Sequence, residues 1–325
     1  MVLILSRSNV RDIISISDVI ASVERAHSLH AKGLAVQPNR ATVNVTGTSN
    51  AILPMPATIR DMQAAGMKLL SIFPSNRETG LPALSAVVVL VDIKSGRCEA
   101  VLDGGLLTAF RTAAASAIAT KYMARTDARV LGLVGAGLEA RTHLNAISTI
   151  RPIDTVLVWS RSKATAEKFV SDSRRSGILF EILDTPKDVV LKSDILCTLT
   201  PSKTPIVLGS WFAPGLHINA VGTHWIDFRE IDSEAVARSR VVCDSRTANE
   251  LECGDLMIPV AEGLITREHF HDELGQVINQ EVDGRRSHEE ITMYQSVGVA
   301  IQDIATAQML VKVARDKGIG LEVEL

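Results

Sequence analysis

Rings are scarce in this chain. Only 4% of its 325 residues are aromatic, and these are seven Phe, three Trp and two Tyr. A core must therefore be filled by Ala, Val, Ile and Leu. The four cysteines, Cys98, Cys197, Cys243 and Cys253, lie far apart and show no metal-ligand spacing. They read as buried free thiols in a reducing compartment. The longest apolar run, residues 86–91 with its neighbours, is well short of the roughly 20 residues of a membrane span. The start at Met1–Leu5 is too short for a signal core and lacks a cationic lead-in. No long basic run occurs, and the net charge is −3, which argues against a nucleic-acid surface. These absences predict a cytoplasmic protein. At about 150 residues per domain the length predicts two domains.

Hydrophobic residues make up 46% and charged residues 22%, an ordinary globular balance. Ile16-Ser17-Asp18 reads as a helix start capped by Ser17, with Val19, Ile20, Val23 and Ala26 following at helical spacing. Residues 41–45 alternate like a half-buried strand. Residues 84–92 form a second strand, and the turn Lys94-Ser95-Gly96 returns the chain through 98–102 as a hairpin. An Ala-rich helix is predicted over 106–124. Beyond Arg129 the pattern changes. Short apolar runs at 130–134, 155–159, 195–199, 217–221 and 241–243 alternate with helical stretches, the mark of a parallel sheet covered on both faces. A last helix is predicted over 296–317. The expected architecture is α/β, with a nucleotide-type domain over 118–297. Residues 1–117 and 298–325 would make a second, discontinuous α/β domain.

Residues 130–140 read as a strand, a tight turn and a helix start. In the pattern Gly-x-Gly-x-x-Ala, Gly135 allows the turn and Gly137 lets the backbone approach a pyrophosphate. Ala140 permits close helix packing. The backbone N–H groups around Leu138 and Glu139 would then face the phosphates. The ribose is read at the end of the second strand, where an NAD site carries Asp or Glu. Here Ser160, Arg161 and Lys163 stand instead. A hydroxyl beside cations suits a 2′-phosphate, so NADP(H) is the expected cofactor, with NAD(H) as the alternative. Thr198 and Thr200 end another strand of this sheet, where nucleotides bind.

Several segments occur in a distinctive order: Gly66-Met67-Lys68, Gly80-Leu81-Pro82, Asp103-Gly104, the run from Leu107 through Arg111 and Thr112 to Ser116, the Gly135 turn, and Asn219-Ala220-Val221-Gly222. Through them the chain resembles the ornithine cyclodeaminase/μ-crystallin family over nearly its whole length. The resemblance implies a Rossmann domain plus an α/β domain for substrate binding and dimerisation, and hence a homodimer. It implies hydride transfer between a nicotinamide and a carbon bearing an amine or imine beside a carboxylate. The activities in view are reduction of cyclic ketimines such as Δ1-pyrroline-2-carboxylate, amino-acid dehydrogenation, and cyclising deamination of ornithine. A non-catalytic, NADP(H)-binding role is a further alternative.

By position in the shared motifs, Arg40, Lys68 and Arg111 would clamp the substrate carboxylate, with Arg111 gripping it bidentately. Lys68 would also exchange a proton with the imine nitrogen if neighbouring cations lower its pKa. An unpaired guanidinium at a buried helix start is costly, so Arg111 is expected to meet a ligand carboxylate. Thr112, Val221 and Gly298 would line the cofactor by the same resemblance. The cyclodeaminases carry an Asp two residues beyond the glycine of Asn-Ala-Val-Gly, where this chain has His224. This favours an imine reductase, with His224 as a candidate general acid. Asp227 is expected to cap the next helix. His269 and His271, two apart, do not share a helix face, so no metal site is expected. Glu250, Glu252 and Asp255 around Cys253 read as a partly exposed turn.

Overall fold

The computed structural model describes residues 1–324, the side chain of Arg77 excepted. The chain forms two compact units, Met1–Thr112 with Val299–Leu325, and Ala113–Gly298. No helix among the described residues is long and apolar enough to cross a membrane.

The first unit is built on a mixed sheet. Its strands are β1 (Val2–Leu5), β2 (Ala35–Val36), β3 (Val43–Asn44), β4 (Ala51–Ile59), β5 (Ala64–Ile72), β6 (Leu84–Val91) and β7 (Cys98–Asp103), with a terminal strand Leu321–Val323. From one edge the order is terminal strand, β1, β7, β6, β5, β4, β2, with β3 also pairing β4. Only β1 and β7 run parallel. Along β4 alternate residues Ala51, Leu53, Met55, Ala57 and Ile59 are buried, the period of a strand with one covered face. The C-terminal helix (Ala300–Lys317) packs across β4, β5 and β6 and against helix α2 (Ile16–Ala31). Helix α1 (Arg7–Ile13) opens on a reciprocal cap between Ser6 and Asn9.

Two local expectations need correction here, and one strand had not been expected. The cap position of α2 is Ser15 rather than Ser17. The segment 41–45 is strand only at Val43–Asn44, and both residues are exposed. Strand β4 was hidden by Pro54 and Pro56, which sit where neither β2 nor β3 pairs with it. A missing N–H on that side breaks no ladder bond.

The second unit carries eight strands, all parallel to their neighbours: β8 (Val130–Val134), β9 (Thr155–Trp159), β10 (Leu179–Ile182), β11 (Ile195–Thr198), β12 (His217–Ala220), β13 (Arg240–Cys243), β14 (Asp272–Glu273) and β15 (Thr292–Gln295). Their order is β10-β9-β8-β11-β12-β15-β13-β14. Central strands β11, β12 and β15 are buried at every residue, as a sheet covered on both faces requires. Helix α3 (Gly104–Met123) gives its start to the first unit and its remainder to the second. There Ala113, Ala114, Ala115, Ala117 and Ala119 are wholly buried, and small side chains allow such close contact.

The final helix begins at Ala300, four residues later than expected from 296, because residues 292–295 are strand β15. Residues 250–252 and 254–255 belong to helices Arg246–Glu252 and Gly254–Ala261, joined by Cys253, rather than to a turn, and Asp255 is fully buried. Asp227 is exposed, and the side chain capping helix Ser233–Ala237 is Asp232. Cys98 is only half-buried, whereas the other three cysteines are buried.

Candidate active site

Two sets of candidate residues stand in the two units. In the first unit, strand β5 alternates apolar residues on its buried face, and Lys68 occupies one of those inward positions with no exposure at all. Its ammonium lies 2.8 Å from Asp303 Oδ2 and 3.5 Å from the Thr108 hydroxyl. Arg111, on the first part of α3, is 5% exposed. Its Nε donates to Asp303 Oδ1 at 2.9 Å and its Nη1 to Gln302 Oε1 at 2.7 Å. A sheet residue, a helix start and the head of the C-terminal helix thus converge on one carboxylate. Arg40, in the irregular segment before β3, is half-buried and close enough for its charge to act on Lys68.

Burial and the charge of Arg111 pull the Lys68 ammonium down to about 7, with Asp303 acting in the opposite sense. Lys68 can therefore give or take a proton near neutrality. Two cations share the single carboxylate of Asp303, so the cluster keeps a positive excess suited to an anionic ligand.

Arg111 differs from expectation in one respect. Its buried guanidinium already has protein partners, and the Nε and Nη1 atoms are committed to Asp303 and Gln302. These bonds use two of its five N–H groups, which leaves the second N–H of Nη1 and both of Nη2 for an incoming carboxylate. Asp303 and Gln302 were missed in the sequence. A signal existed: two polar residues on the apolar face of a helix, in a chain whose buried Lys68 and Arg111 needed a counter-charge. Thr112 is buried and its hydroxyl donates to the carbonyl of Thr108 at 2.8 Å, as a helix back-bond.

In the second unit the candidates line the carboxyl ends of parallel strands, where open α/β sheets bind ligands. After β8, Gly135 adopts φ +115° and a Cβ there would lie 2.8 Å from the Leu199 carbonyl oxygen. Gly137 is the cap residue of helix α4 (Leu138–Ser148) and a Cβ there would meet nothing within 4 Å. Glycine is thus needed at 135 by the protein itself, while the space beside 137 is open. Ala140 is fully buried, Leu138 is 45% exposed and Glu139 is half-buried on the first turn of α4. An open helix N-terminus without a side-chain cap fits a pyrophosphate. Ser160, Arg161 and Lys163 follow β9; Ser160 is half-buried, and Arg161 and Lys163 are exposed. Ser162 caps the helix that begins at Lys163.

Thr198 is buried at the end of β11. Thr200 lies just beyond it, but its N–H and hydroxyl both donate to Glu230 Oε1 at 2.7 Å. Glu230 Oε2 accepts from the Gly222 N–H at 2.8 Å. This buried carboxylate, not foreseen in the sequence, ties the loop after β11 to the loop after β12. Its pKa rises to about 8 through burial and the nearby Asp255 charge. Asp255 accepts the N–H groups of Glu230 and Ile231 at 2.8 and 3.2 Å. Val221 and His224 sit on the loop so held. Both are half-buried, and the His224 ring lies 5.5 Å from that of Trp225. Gly298, at φ +78°, donates its N–H to Asp244 at 2.7 Å.

Known proteins share this fold. Δ1-pyrroline-2-carboxylate reductase of Bacillus cereus is 33% identical over 324 residues, covering 99% of both chains. The solved structure of the Thermococcus litoralis Δ1-pyrroline-2-carboxylate reductase in complex with NADH and L-proline superposes with a TM-score of 0.96 at 39% identity, covering 99% of this chain and 100% of that one. An archaeal alanine dehydrogenase dimer with bound NAD gives 0.95 at 33% identity, covering 100% and 99%. The model of the ornithine cyclodeaminase/mu-crystallin family matches residues 2–318, and the chain belongs to that family.

Proposed function

We propose that this protein is a nicotinamide-dependent oxidoreductase that reduces the C=N bond of an α-imino acid, a cyclic ketimine of the Δ1-pyrroline-2-carboxylate kind, and oxidises the matching amino acid in reverse. The observation that carries the reading is the buried cluster in which Lys68 and Arg111 share Asp303. The nicotinamide, when bound, supplies a hydride equivalent to the imine carbon. Arg111, through its remaining N–H groups, and Arg40 bind the substrate carboxylate and orient that carbon. Lys68, with a pKa near 7, holds the proton that the nitrogen takes up as the C=N bond becomes C–N. His224 is the second candidate for proton delivery. Gly135, Gly137, Leu138, Glu139 and Ala140 hold the pyrophosphate on the N-terminus of α4, and Thr112, Thr198, Thr200, Val221 and Gly298 line the rest of the cofactor.

NADP(H) is the preferred form. Ser160, Arg161 and Lys163 offer a hydroxyl and two exposed cations after β9, where a ribose-binding carboxylate would stand in an NAD site. The protein works as a homodimer in the cytoplasm on a small carboxylated amino or imino acid. His224 in place of the cyclodeaminase Asp favours reduction over ring-closing deamination.

The test is a panel of imino, keto and amino acids assayed for nicotinamide absorbance with both cofactors. NADPH oxidation with Δ1-pyrroline-2-carboxylate, and little proline from ornithine, is the expected result. Efficient ammonia release from ornithine would move the assignment to a cyclodeaminase, and no turnover with any member would move it to a binding protein. Arg161→Asp should shift preference towards NADH, and an unchanged ratio removes Arg161 from the 2′-phosphate site.

A further inference from the structure

One anchor of Arg111 is a primary amide, which has a right way round and a wrong one. Arg111 Nη1 donates to Gln302 Oε1 at 2.7 Å, and on the other side Gln302 Nε2 lies 3.0 Å from His27 Nε2. If the amide were reversed, its N–H donors would face a guanidinium that has only donors. The oxygen would then face the imidazole, and the buried fork of Arg111 would lose an anchor. Nothing in the shape of an amide distinguishes the two forms, because N and O are nearly the same size. The choice is made by hydrogen bonding alone.

Arg111 sets that choice, and the group that holds it is His27. It projects from α2 and is 1% exposed. Burial, with the charges of His30 and Arg111, pulls its pKa down to about 3, so the ring is neutral across the working range. A neutral ring carries its proton on either nitrogen, and in the form that leaves Nε2 bare its lone pair accepts from the Gln302 NH2 group that Arg111 has placed there. The C-terminal helix is also tied to α2 and to the segment after β2 around this contact. The Ser22 hydroxyl of α2 donates to the Ala305 carbonyl at 2.9 Å, and the Ile301 N–H donates to Gln37 Oε1 at 3.0 Å.

We propose that His27 is a positioning residue for substrate binding. By accepting from Gln302 Nε2 it holds the amide so that Oε1 anchors Arg111, leaving the remaining guanidinium N–H groups for the substrate carboxylate. His27 itself touches no substrate. The inference rests on the reading of Lys68 and Arg111 as a carboxylate clamp, and it adds a remote residue of α2 to the determinants of substrate affinity.

The experiment compares wild type, His27→Leu, His27→Gln, Gln302→Met and the double variant His27→Leu/Gln302→Met. Leu fills the space without an acceptor, and Gln restores an acceptor near the position of Nε2. In His27→Leu, KM for Δ1-pyrroline-2-carboxylate should rise roughly tenfold, kcat should stay within about twofold, and NADPH affinity should not change. His27→Gln should recover most of the loss. In the Gln302→Met background, where no amide remains to orient, His27→Leu should add nothing. A wild-type KM in His27→Leu overturns the proposal. So does an undiminished effect in the Gln302→Met background, or a parallel fall in cofactor affinity, since either marks a packing defect. L-Proline affinity measured by calorimetry on the same five proteins needs no turnover. A wild type that binds L-proline without oxidising NADPH with the imino acid refutes the proposed reaction, and the positioning role is then decided by the same pattern in L-proline affinity. A wild type that binds neither ligand overturns both.

Discussion

On the function proposed above, the two units recognise their ligands by opposite means. In the first, recognition is done by long charged side chains that meet far from their places in sequence: Lys68 from a strand, Arg111 from one helix and Asp303 from another. In the second it is done by backbone, and the informative positions carry little or no side chain. Gly135 bends the chain, Gly137 leaves a space open and Ala140 lets the helix close on the sheet. The buried carboxylates there, Glu230, Asp244 and Asp255, accept from backbone N–H groups of the loops at the strand ends. They shape those loops and need not touch the ligand. A charged cluster is sensitive to every partner's charge, whereas a backbone cradle is sensitive to added volume.

The comparison breaks most visibly at Arg111. Arg111→Ala should lower kcat/KM for the imino acid roughly 100-fold, the scale of losing a buried charge contact worth about 3 kcal/mol. Dinucleotide affinity, measured by calorimetry, should stay within about twofold of wild type if the two units divide the work as described. A collapse of nucleotide affinity with intact substrate binding would reverse the division.

The cradle is tested by a methyl group. Gly137→Ala meets no protein atom within 4 Å, so the melting temperature should hold while dinucleotide affinity falls roughly tenfold. Gly135→Ala should do the converse first. Its Cβ would lie 2.8 Å from a carbonyl oxygen at φ +115°, which costs about 1–3 kcal/mol of stability. Equal losses of stability in both variants would show that neither glycine is kept for the ligand.

A smaller effect separates the units by pH. Proton donation by Lys68 should fade as pH rises through about 7, so imine reduction should decline on that side and amino-acid oxidation should gain. Asp303 is the influence that raises the Lys68 pKa, and Asp303→Asn should move the midpoint to lower pH. A profile that ignores this substitution would exclude Lys68 as the donor. Stability has its own pH dependence, shared by both units. His27, His143 and His217 are buried with pKa values near 3, 4 and 3 instead of 6.5. Below about 6.5 these histidines bind protons in the unfolded chain that the folded one refuses, so their contribution to stability is full above that pH and is lost as pH falls towards 4. Glu230 and Asp255, raised to about 8 and 7, act in the opposite sense over this range, so the histidine part is read by urea titration of His217→Gln against wild type at pH 7 and 5, where the variant should lose less stability or gain more.

What could be read from the chain and what could not follow the same division. The parallel sheet was legible because its strands are continuous apolar runs, and the dinucleotide turn because its three small residues are neighbours in sequence. Strand β4 was obscured by Pro54 and Pro56, whose missing N–H groups are harmless only because that stretch of the strand is unpaired on one side. The turn read at 250–255 proved to be helical, because Asp255 looks like a surface residue until Glu230 and Ile231 are seen to donate to it. The protein partners of Arg111 were missed for a similar reason, since they lie some 190 residues further along the chain.

The scarcity of aromatic side chains did fix in advance what kind of core this protein has: Val, Ile and Leu in the strands and Ala where helices are wholly buried. Sequence alone also determined the turn geometry at Gly135, because backbone conformation depends on adjacent residues. Only the tertiary structure decided that Lys68 and Arg111 share Asp303, and that Gln302 and His27 stand behind Arg111. Charge pairing in a buried site depends on distances of about 3 Å between side chains of distant elements, and no local pattern encodes such distances.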